Sequence, residues 1–106
     1  MITGSVDTNV LVRLIAQDDP PQAKAVDRLF ARHARQGEML LVPVTVVLEL
    51  EWVLRSRLSQ TKDQVLETLD RLLALVELTF ESENAVEQAL LDYREGSADF
   101  GEYLHL

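Results

Sequence analysis

The chain has 106 residues, and its 18 acidic and 10 basic side chains give a net charge of −8. This length suits one domain with a modest core, and the lack of cysteine excludes disulfides and thiolate zinc sites, as expected in a reducing cytoplasm. Apolar runs are far shorter than the ~20 residues of a membrane span, and no secretory signal pattern is visible, so we expect no membrane association. The negative charge argues against a broad basic surface for nucleic acid, although carboxylates that hold a divalent metal present positive charge locally.

The first half of the chain alternates between strand and helix patterns. A short apolar stretch, residues 1–6, ends at Asp7 and is followed by a helical pattern over 10–16. A prolyl break precedes a second helical stripe over 20–35, and residues 39–42 then form a short buried-strand pattern. This order predicts a sheet whose strands are joined by helices.

The second half continues the alternation. Thr61 and Gln64 have the spacing of a capping box. Strands separated by helices favour parallel pairing and an α/β fold with helices beside the sheet. The predicted elements are a helix from its N-cap Thr45, a helix from Thr61, a strand over 75–80, a helix from Ser82 or Glu83 to Gly96, and a final helix over 98–106 capped by Ser97.

Asp7 is the first candidate site residue because it follows the first predicted strand. In open α/β sheets, ligands bind just outside the carboxyl ends of the strands. An acid at that point suits a metal or phosphate site. The alternative stays open that Asp7-Thr8-Asn9 only caps the following helix.

Glu49 and Glu51 lie on the same predicted helix and receive different interpretations. Glu49 falls between an apolar stripe and Trp52, where a carboxylate is costly to bury unless it is paired or binds metal. Glu51 has Arg55 one turn later, so an exposed ion pair explains it. We therefore take Glu49 as the second candidate site residue.

Asp99 is the third candidate, and it falls in the first turn of the final predicted helix. An acid there is stabilised by the helix dipole. Glu102 lies on the same face, and two such acids repel each other unless a cation lies between them or both side chains point into water. Asp7, Glu49 and Asp99 together provide the oxygen ligands that Mg²⁺ prefers. No glycine-rich phosphate loop is present. His33 and His105 are lone histidines on predicted helices, and His33 is interpreted as a surface residue.

Three stretches of this sequence resemble the PIN-domain ribonucleases, and among them the VapC-type toxins of bacterial toxin–antitoxin pairs. They are Val6-Asp-Thr-Asn-Val-Leu-Val-Arg13, Val42-Pro-Val-Thr-Val-Val-Leu-Glu-Leu-Glu-Trp-Val-Leu-Arg55 and Ala98-Asp-Phe-Gly-Glu-Tyr-Leu-His105. The resemblance covers the length of the chain, and its middle stretch is the most specific.

The resemblance implies a metal-dependent endoribonuclease toxin that hydrolyses RNA, uses Mg²⁺ or Mn²⁺ and is inhibited by a cognate antitoxin. Asp7, Glu49 and Asp99 correspond to its metal-binding and catalytic acids. A homodimer is expected by the same resemblance. The positions implied to support the metal or the substrate are Thr8, Asn9, Thr45, Glu102 and Arg13, with Arg55 as a further candidate for substrate contact.

The family's domain normally continues past the last predicted helix into further β and α elements, including a strand that ends beside another acid. We therefore expect residues 1–106 to form one PIN-like, three-layer α/β domain that is incomplete at its C-terminus. This departure supports a second interpretation, a catalytically impaired binding module that acts through the antitoxin or through dimerisation. A phosphoacceptor regulatory domain is a third, but Asp7 lies on the first strand and no lysine follows Lys62.

Overall fold

The computed structural model describes residues 2–16, 28, 37 and 39–104, and in these ranges strands and helices alternate as predicted. The helix predicted over 20–35 lies outside the described residues except for Arg28, which is helical, and His33 and His105 also lie outside them. The strands are β1 (Ile2–Ser5), β2 (Met39–Val42) and β3 (Leu78–Phe80), and the helices are α1 (Thr8–Ala16), α2 (Val44–Ser56), α3 (Lys62–Leu73), α4 (Glu83–Glu95) and α5 (Phe100–Tyr103).

The three strands form a parallel sheet in the order β1-β2-β3. Leu40 pairs with Leu78 and Val42 with Phe80, while the backbone N–H of Val6 extends the β1–β2 pairing by donating to Leu41 O at 3.0 Å. Because parallel strands run in the same direction, their carboxyl ends lie at the same edge of the sheet. Asp7 is thereby placed at the edge where ligands bind in open α/β sheets.

The core lies between the sheet and the helices packed on it. On β2, Leu40 and Val42 are buried while the alternate residues are half-buried, as the two-residue period of a strand requires. α2 is the central helix, because α1, α3 and α5 all pack against it. The largest fully buried side chains are Phe100, Leu11, Leu50, Leu54, Val42, Val47, Val65 and Val86.

Two helix starts show how local and distant groups cap a helix. At α3 the predicted capping box is confirmed, since Thr61 Oγ1 accepts from Gln64 N–H and Gln64 Oε1 accepts from Thr61 N–H. The prediction that Thr45 caps α2 was wrong, because the N-cap is Pro43, which offers no side-chain hydrogen bond. The carboxylate of Glu81, which follows β3, instead accepts from Val44 N–H at 3.0 Å.

The last predicted strand and helix are both shorter in the structure. The strand predicted over 75–80 is regular only from Leu78 to Phe80. The final helix begins at Phe100 with Asp99 as its N-cap, not at Ala98 after Ser97. The Ala98 N–H, which a Ser97-capped helix would place in its first turn, donates to Tyr103 Oη at 3.1 Å.

Candidate functional site

Asp7 lies at the junction between β1 and α1 and is exposed. Its Oδ1 accepts from Val10 N–H at 3.0 Å, which is the hydrogen bond of a helix N-cap. The capping interpretation of Asp7 is therefore correct. It leaves the second carboxylate oxygen free of hydrogen bonds to the described residues, so capping and ligand binding are compatible.

Thr8 is a buried polar residue beside Asp7, with 6% of its surface exposed. Its hydroxyl has no hydrogen-bond partner among the described residues. Buried hydroxyls are usually hydrogen-bonded, so this oxygen suits a water molecule or a ligand next to Asp7. Asn9 follows it on α1 and is exposed.

Glu49 projects from the middle of α2 into solvent, and Thr45 is exposed one turn before it. Residues four apart lie on the same helix face, so Thr45 and Glu49 are neighbours on the surface of α2. α1 packs against α2 and carries the exposed Arg13. The expectation that apolar neighbours would enclose Glu49 was wrong.

Asp99 is exposed and is the N-cap residue of α5, but its side chain makes no capping hydrogen bond. Glu102 lies in the first turn of that helix, is also exposed, and donates its backbone N–H to Asp99 O at 3.0 Å. A Cβ built on Gly101 would lie 3.8 Å from Leu48 Cδ2, the residue before Glu49. α5 therefore lies directly against the turn of α2 that carries Glu49.

An aromatic cluster holds α5 in this position. The ring centroids of Tyr93 on α4 and Phe100 on α5 are 5.5 Å apart, and those of Tyr93 and Tyr103 are 6.4 Å apart. Phe100 is fully buried. Because Asp99 immediately precedes Phe100, this packing fixes the backbone that carries the Asp99 carboxylate.

The three candidate acids thus lie on elements that meet at α2, but their side chains do not form a closed cluster. Within the described ranges, no group of three or more His, Cys, Asp or Glu side chains is arranged to hold a metal ion. A Mg²⁺ site usually needs only one or two carboxylates, with water and substrate phosphate completing the shell. The exposed acids and the unpaired Thr8 hydroxyl have the hard oxygen donors that this ion requires, so the residues fit it chemically.

Glu51 is the acid that the sequence interpretation misplaced. It pairs with Arg55 as predicted, but it is buried, with only 3% of its surface exposed. Arg55 donates to both of its carboxylate oxygens, and Tyr93 Oη donates to Oε2 at 3.1 Å. The sequence did contain a signal for this burial. Glu51 comes four residues after Val47 and three before Leu54, and this spacing places it on the buried face of α2.

This buried carboxylate perturbs the groups that contact it. The hydrogen bond to Glu51 raises the pKa of Arg55, against the opposing effect of burial. Burial, together with the charge of Glu51, raises the pKa of Tyr93 above its usual value of 10.0. The negative charge of Asp99 is a further, smaller cause that raises the pKa of both groups.

A cleft elsewhere in the described structure is separate from these acids. It has a volume of about 400 Å³, lies between α3 and α4 and is lined in part by Asp70, Leu91 and Arg94. Asp7, Glu49 and Asp99 are not among the residues that line this cleft. We therefore assign the candidate site to the exposed edge formed by α1, α2 and α5.

A family model for the PIN domain matches residues 5–100. The chain belongs to the PIN-domain family. The match spans all three stretches that carry the resemblance, except for the residues after Phe100, and the parallel sheet flanked by helices agrees with a PIN-like fold. Comparison with curated proteins and with solved structures gives no match.

Membership of the PIN-domain family indicates nuclease chemistry in general and contact with RNA or another nucleic acid. PIN domains typically depend on divalent metal ions, which agrees with the oxygen-donor character of Asp7, Glu49 and Asp99. Among the described residues, no helix combines the length and apolar character that crossing a membrane requires.

Proposed function

We propose that this PIN domain is a Mg²⁺- or Mn²⁺-dependent endoribonuclease toxin of the VapC type, restrained by a cognate antitoxin. The observation that carries the proposal is the family match over residues 5–100, combined with exposed carboxylates at Asp7, Glu49 and Asp99 on elements that meet at α2. A cytoplasmic location, expected from the cysteine-free composition, belongs to the same proposal.

In this proposal Asp7, Glu49 and Asp99 bind the metal and form the catalytic centre. A bound divalent ion would supply a Lewis acid that activates water and offsets negative charge on the phosphate. Thr8 and Asn9 would orient water beside Asp7, and Thr45 and Glu102 would do so beside Glu49 and Asp99. Arg13, exposed on α1, would contact the RNA backbone.

The decisive variant is Asp7→Asn. Asparagine caps helices about as well as aspartate, so the hydrogen bond to Val10 N–H and the fold should be retained. We expect metal-dependent cleavage of a single-stranded RNA to fall by about 100-fold or more, because metal-ion catalysis contributes several kcal/mol.

The matched control is Asp63→Asn, since Asp63 is an exposed acid in the first turn of α3, outside the candidate site. Cleavage rates with and without EDTA and thermal melting of each variant are the measurements. Full activity in a folded Asp7→Asn protein would exclude Asp7 as a catalytic acid.

The partner proposals rest on charge and on exposed apolar side chains. A net charge of −8 suits a basic antitoxin segment. Homodimer formation would cover apolar residues that are more than half exposed, such as Val76 and Leu91. Light scattering on the purified chain distinguishes monomer from dimer, and a monomer at micromolar concentration would remove the dimer from the proposal.

A second candidate function is a PIN-like binding module without catalytic activity. The observation that favours it is that no group of three or more His, Cys, Asp or Glu side chains among the described residues is arranged to hold a metal ion. Such a module would bind an antitoxin or a second copy and leave RNA intact. EDTA-sensitive RNA cleavage by the purified chain, lost in Asp7→Asn, would exclude it.

A further inference from the structure

Trp52 is the only tryptophan of the chain, and it lies on the solvent side of α2 with 51% of its surface exposed. The residues that follow it, Val53 and Leu54, are buried, so the core fixes the helix backbone that carries the indole. Trp52 comes three residues after Glu49, which places the two side chains on neighbouring parts of one helix face. Nothing in the proposed catalytic role uses this exposed ring.

Arg57 supplies a positive charge next to the ring. Its guanidinium carbon is 5.9 Å from the centroid of the Trp52 ring, and the residue is exposed. Arg55, Arg71 and Arg94 each pair with a carboxylate, whereas Arg57 has no acidic partner within the described part of the chain. This guanidinium is therefore available to an external anion.

The segment that follows Trp52 is richer in cations than the protein as a whole. Residues 52–62 contain three basic side chains and no acid, in a chain of net charge −8. Arg55 is bound to Glu51, and Lys62 donates to Gly96 O at 2.7 Å and lies over the Tyr93 ring. Of the three cations in this segment, Arg57 is therefore the one available to bind a ligand.

We propose that Trp52 and Arg57 form a binding site for single-stranded RNA, in which an unpaired base stacks on the indole and Arg57 contacts a neighbouring phosphate. Aromatic side chains stack on any base, and arginine adds charge and its own planar surface. Three residues of helix span about 4.5 Å, so the stacked nucleotide would lie next to Glu49. The inference rests on the proposed ribonuclease function and names how the substrate is held.

The surroundings of Trp52 favour RNA over a protein partner. Tryptophan is also common in protein-binding hot spots, but those lie in apolar, fully desolvated patches. The exposed residues nearest to Trp52 in sequence are Glu49, Arg55, Ser56 and Arg57, all of them polar. Among the residues that the structure describes, the other large exposed hydrophobic side chains, Ile2, Val76 and Leu91, belong to other segments.

Because Trp52 is the only tryptophan, its fluorescence reports directly on the proposed contact. The experiment titrates the full chain with a mixed-sequence single-stranded oligoribonucleotide in EDTA, where binding is observed without cleavage. We expect the emission to be quenched as the base stacks on the indole. A duplex RNA of the same length should quench little, because its bases are already stacked on one another.

Variants separate stacking from charge in an anisotropy assay with labelled RNA. Trp52→Ala should weaken binding by about 5- to 100-fold, as expected for loss of one stacked base. Arg57→Ala should weaken it several-fold, while Arg71→Ala, which removes an exposed arginine that is paired with Glu67, should not. If Trp52→Ala does not fold, the quenching titration and Arg57→Ala decide the question.

Unchanged Trp52 emission on RNA binding, or equal RNA affinity of folded Trp52→Ala and wild type, would overturn the inference. So would a Trp52 variant that loses binding to a purified antitoxin but keeps its RNA affinity. If these results overturn the role of Trp52 but the chain still cleaves RNA, the ribonuclease proposal remains intact. Quenching by RNA together with full activity of Asp7→Asn would instead contradict the proposed catalytic centre and leave the binding site standing.

Discussion

Glu51 and Glu67 each pair with an arginine one helical turn later, but burial makes the two pairs energetically different. The Glu51 side chain is 4% exposed and that of Arg55 is 38% exposed. The Glu67 and Arg71 side chains are 62% and 78% exposed. Exposed ion pairs contribute little to the free energy of unfolding because water screens them. Removing one partner of a buried pair is costly, because it leaves the other charge buried without a partner.

This contrast predicts different responses to the same substitution. Glu51→Gln should lower the free energy of unfolding by about 2 kcal/mol, since Arg55 and Tyr93 lose their charged acceptor. Glu67→Gln, the matched control, should change it by about 0.5 kcal/mol or less. Urea unfolding measures both, and equal effects would contradict the structural role of the Glu51 network.

At the scale of the elements, helix starts depend on which group reaches the free N–H groups. α3 is capped by its own residues through Thr61 and Gln64. α2 is capped from outside by Glu81, while Thr45 is exposed within the helix and bonds no N–H of its first turn among the described contacts. Two threonines at similar points of two helices thus have different roles.

Substituting these threonines tests the assignment. Thr61→Ala should destabilise the protein by about 1 kcal/mol, the usual contribution of an N-cap hydrogen bond. Thr45→Ala should be neutral or stabilise by up to about 0.5 kcal/mol, because alanine is the better helix former. Thermal melting of the two variants distinguishes the roles. A larger loss of stability in Thr45→Ala than in Thr61→Ala would indicate that Thr45 caps α2.

The connection between α4 and α5 depends on the small size of Gly96. A Cβ at this position would overlap Tyr103 Oη, which accepts the Ala98 N–H, and would lie 3.0 Å from Asp92 O. By contrast, a Cβ on Gly101 meets only Leu48 Cδ2 at an ordinary contact distance of 3.8 Å. The placement of Asp99 relative to α2 therefore depends on Gly96.

We expect Gly96→Ala to destabilise the protein by about 1–3 kcal/mol, as overpacking does, and to lower cleavage activity by displacing α5. Gly101→Ala should stabilise by about 0.5–1 kcal/mol, because alanine replaces a helical glycine without a clash. Denaturant unfolding and RNA cleavage assays measure the two effects. An unaffected Gly96→Ala protein would show that Tyr103 moves at no cost.

At the scale of the whole molecule, the negative charge limits how RNA can be bound. A net charge of −8 provides no broad attraction for a polyanion, so affinity has to come from stacking and from individual cations such as Arg57. Proteins that neutralise many phosphates show a steep salt dependence, because each contact releases counterions.

The RNA affinity of this chain should therefore depend weakly on salt. For single strands the slope of log K against log salt is about −0.7 per neutralised phosphate, so we expect a total slope of about −1 to −2. Arg57→Ala should reduce its magnitude by about 0.7, and Trp52→Ala should leave the slope unchanged while lowering affinity. A slope of about −5 or steeper in the wild type would contradict the assignment of Arg57 as the main phosphate contact.

The order of elements, the parallel α/β architecture and the capping box of α3 follow from the sequence, because each depends on residues a few positions apart. Asp7 at the end of β1 belongs to the same class, since a strand pattern and the following helix place it without distant information. The exposure of Glu49 and the burial of Glu51 follow only in part. Helix spacing places Glu51 on the apolar face with Val47 and Leu54, but its burial as a charged group depends on partners such as Tyr93 of α4, which donates a hydrogen bond to it.

Contacts between residues far apart in sequence account for the remaining features. Tyr93 reaches Glu51 across 42 positions, and Glu81 reaches Val44 across 37. A pattern within one segment carries no information about such partners, because the partner supplies the hydrogen bond that makes burial or capping favourable. The sequence by itself thus determined the local elements and the candidate acids, while the tertiary structure decided that Glu51 is a buried structural group and that Trp52 and Arg57 face solvent.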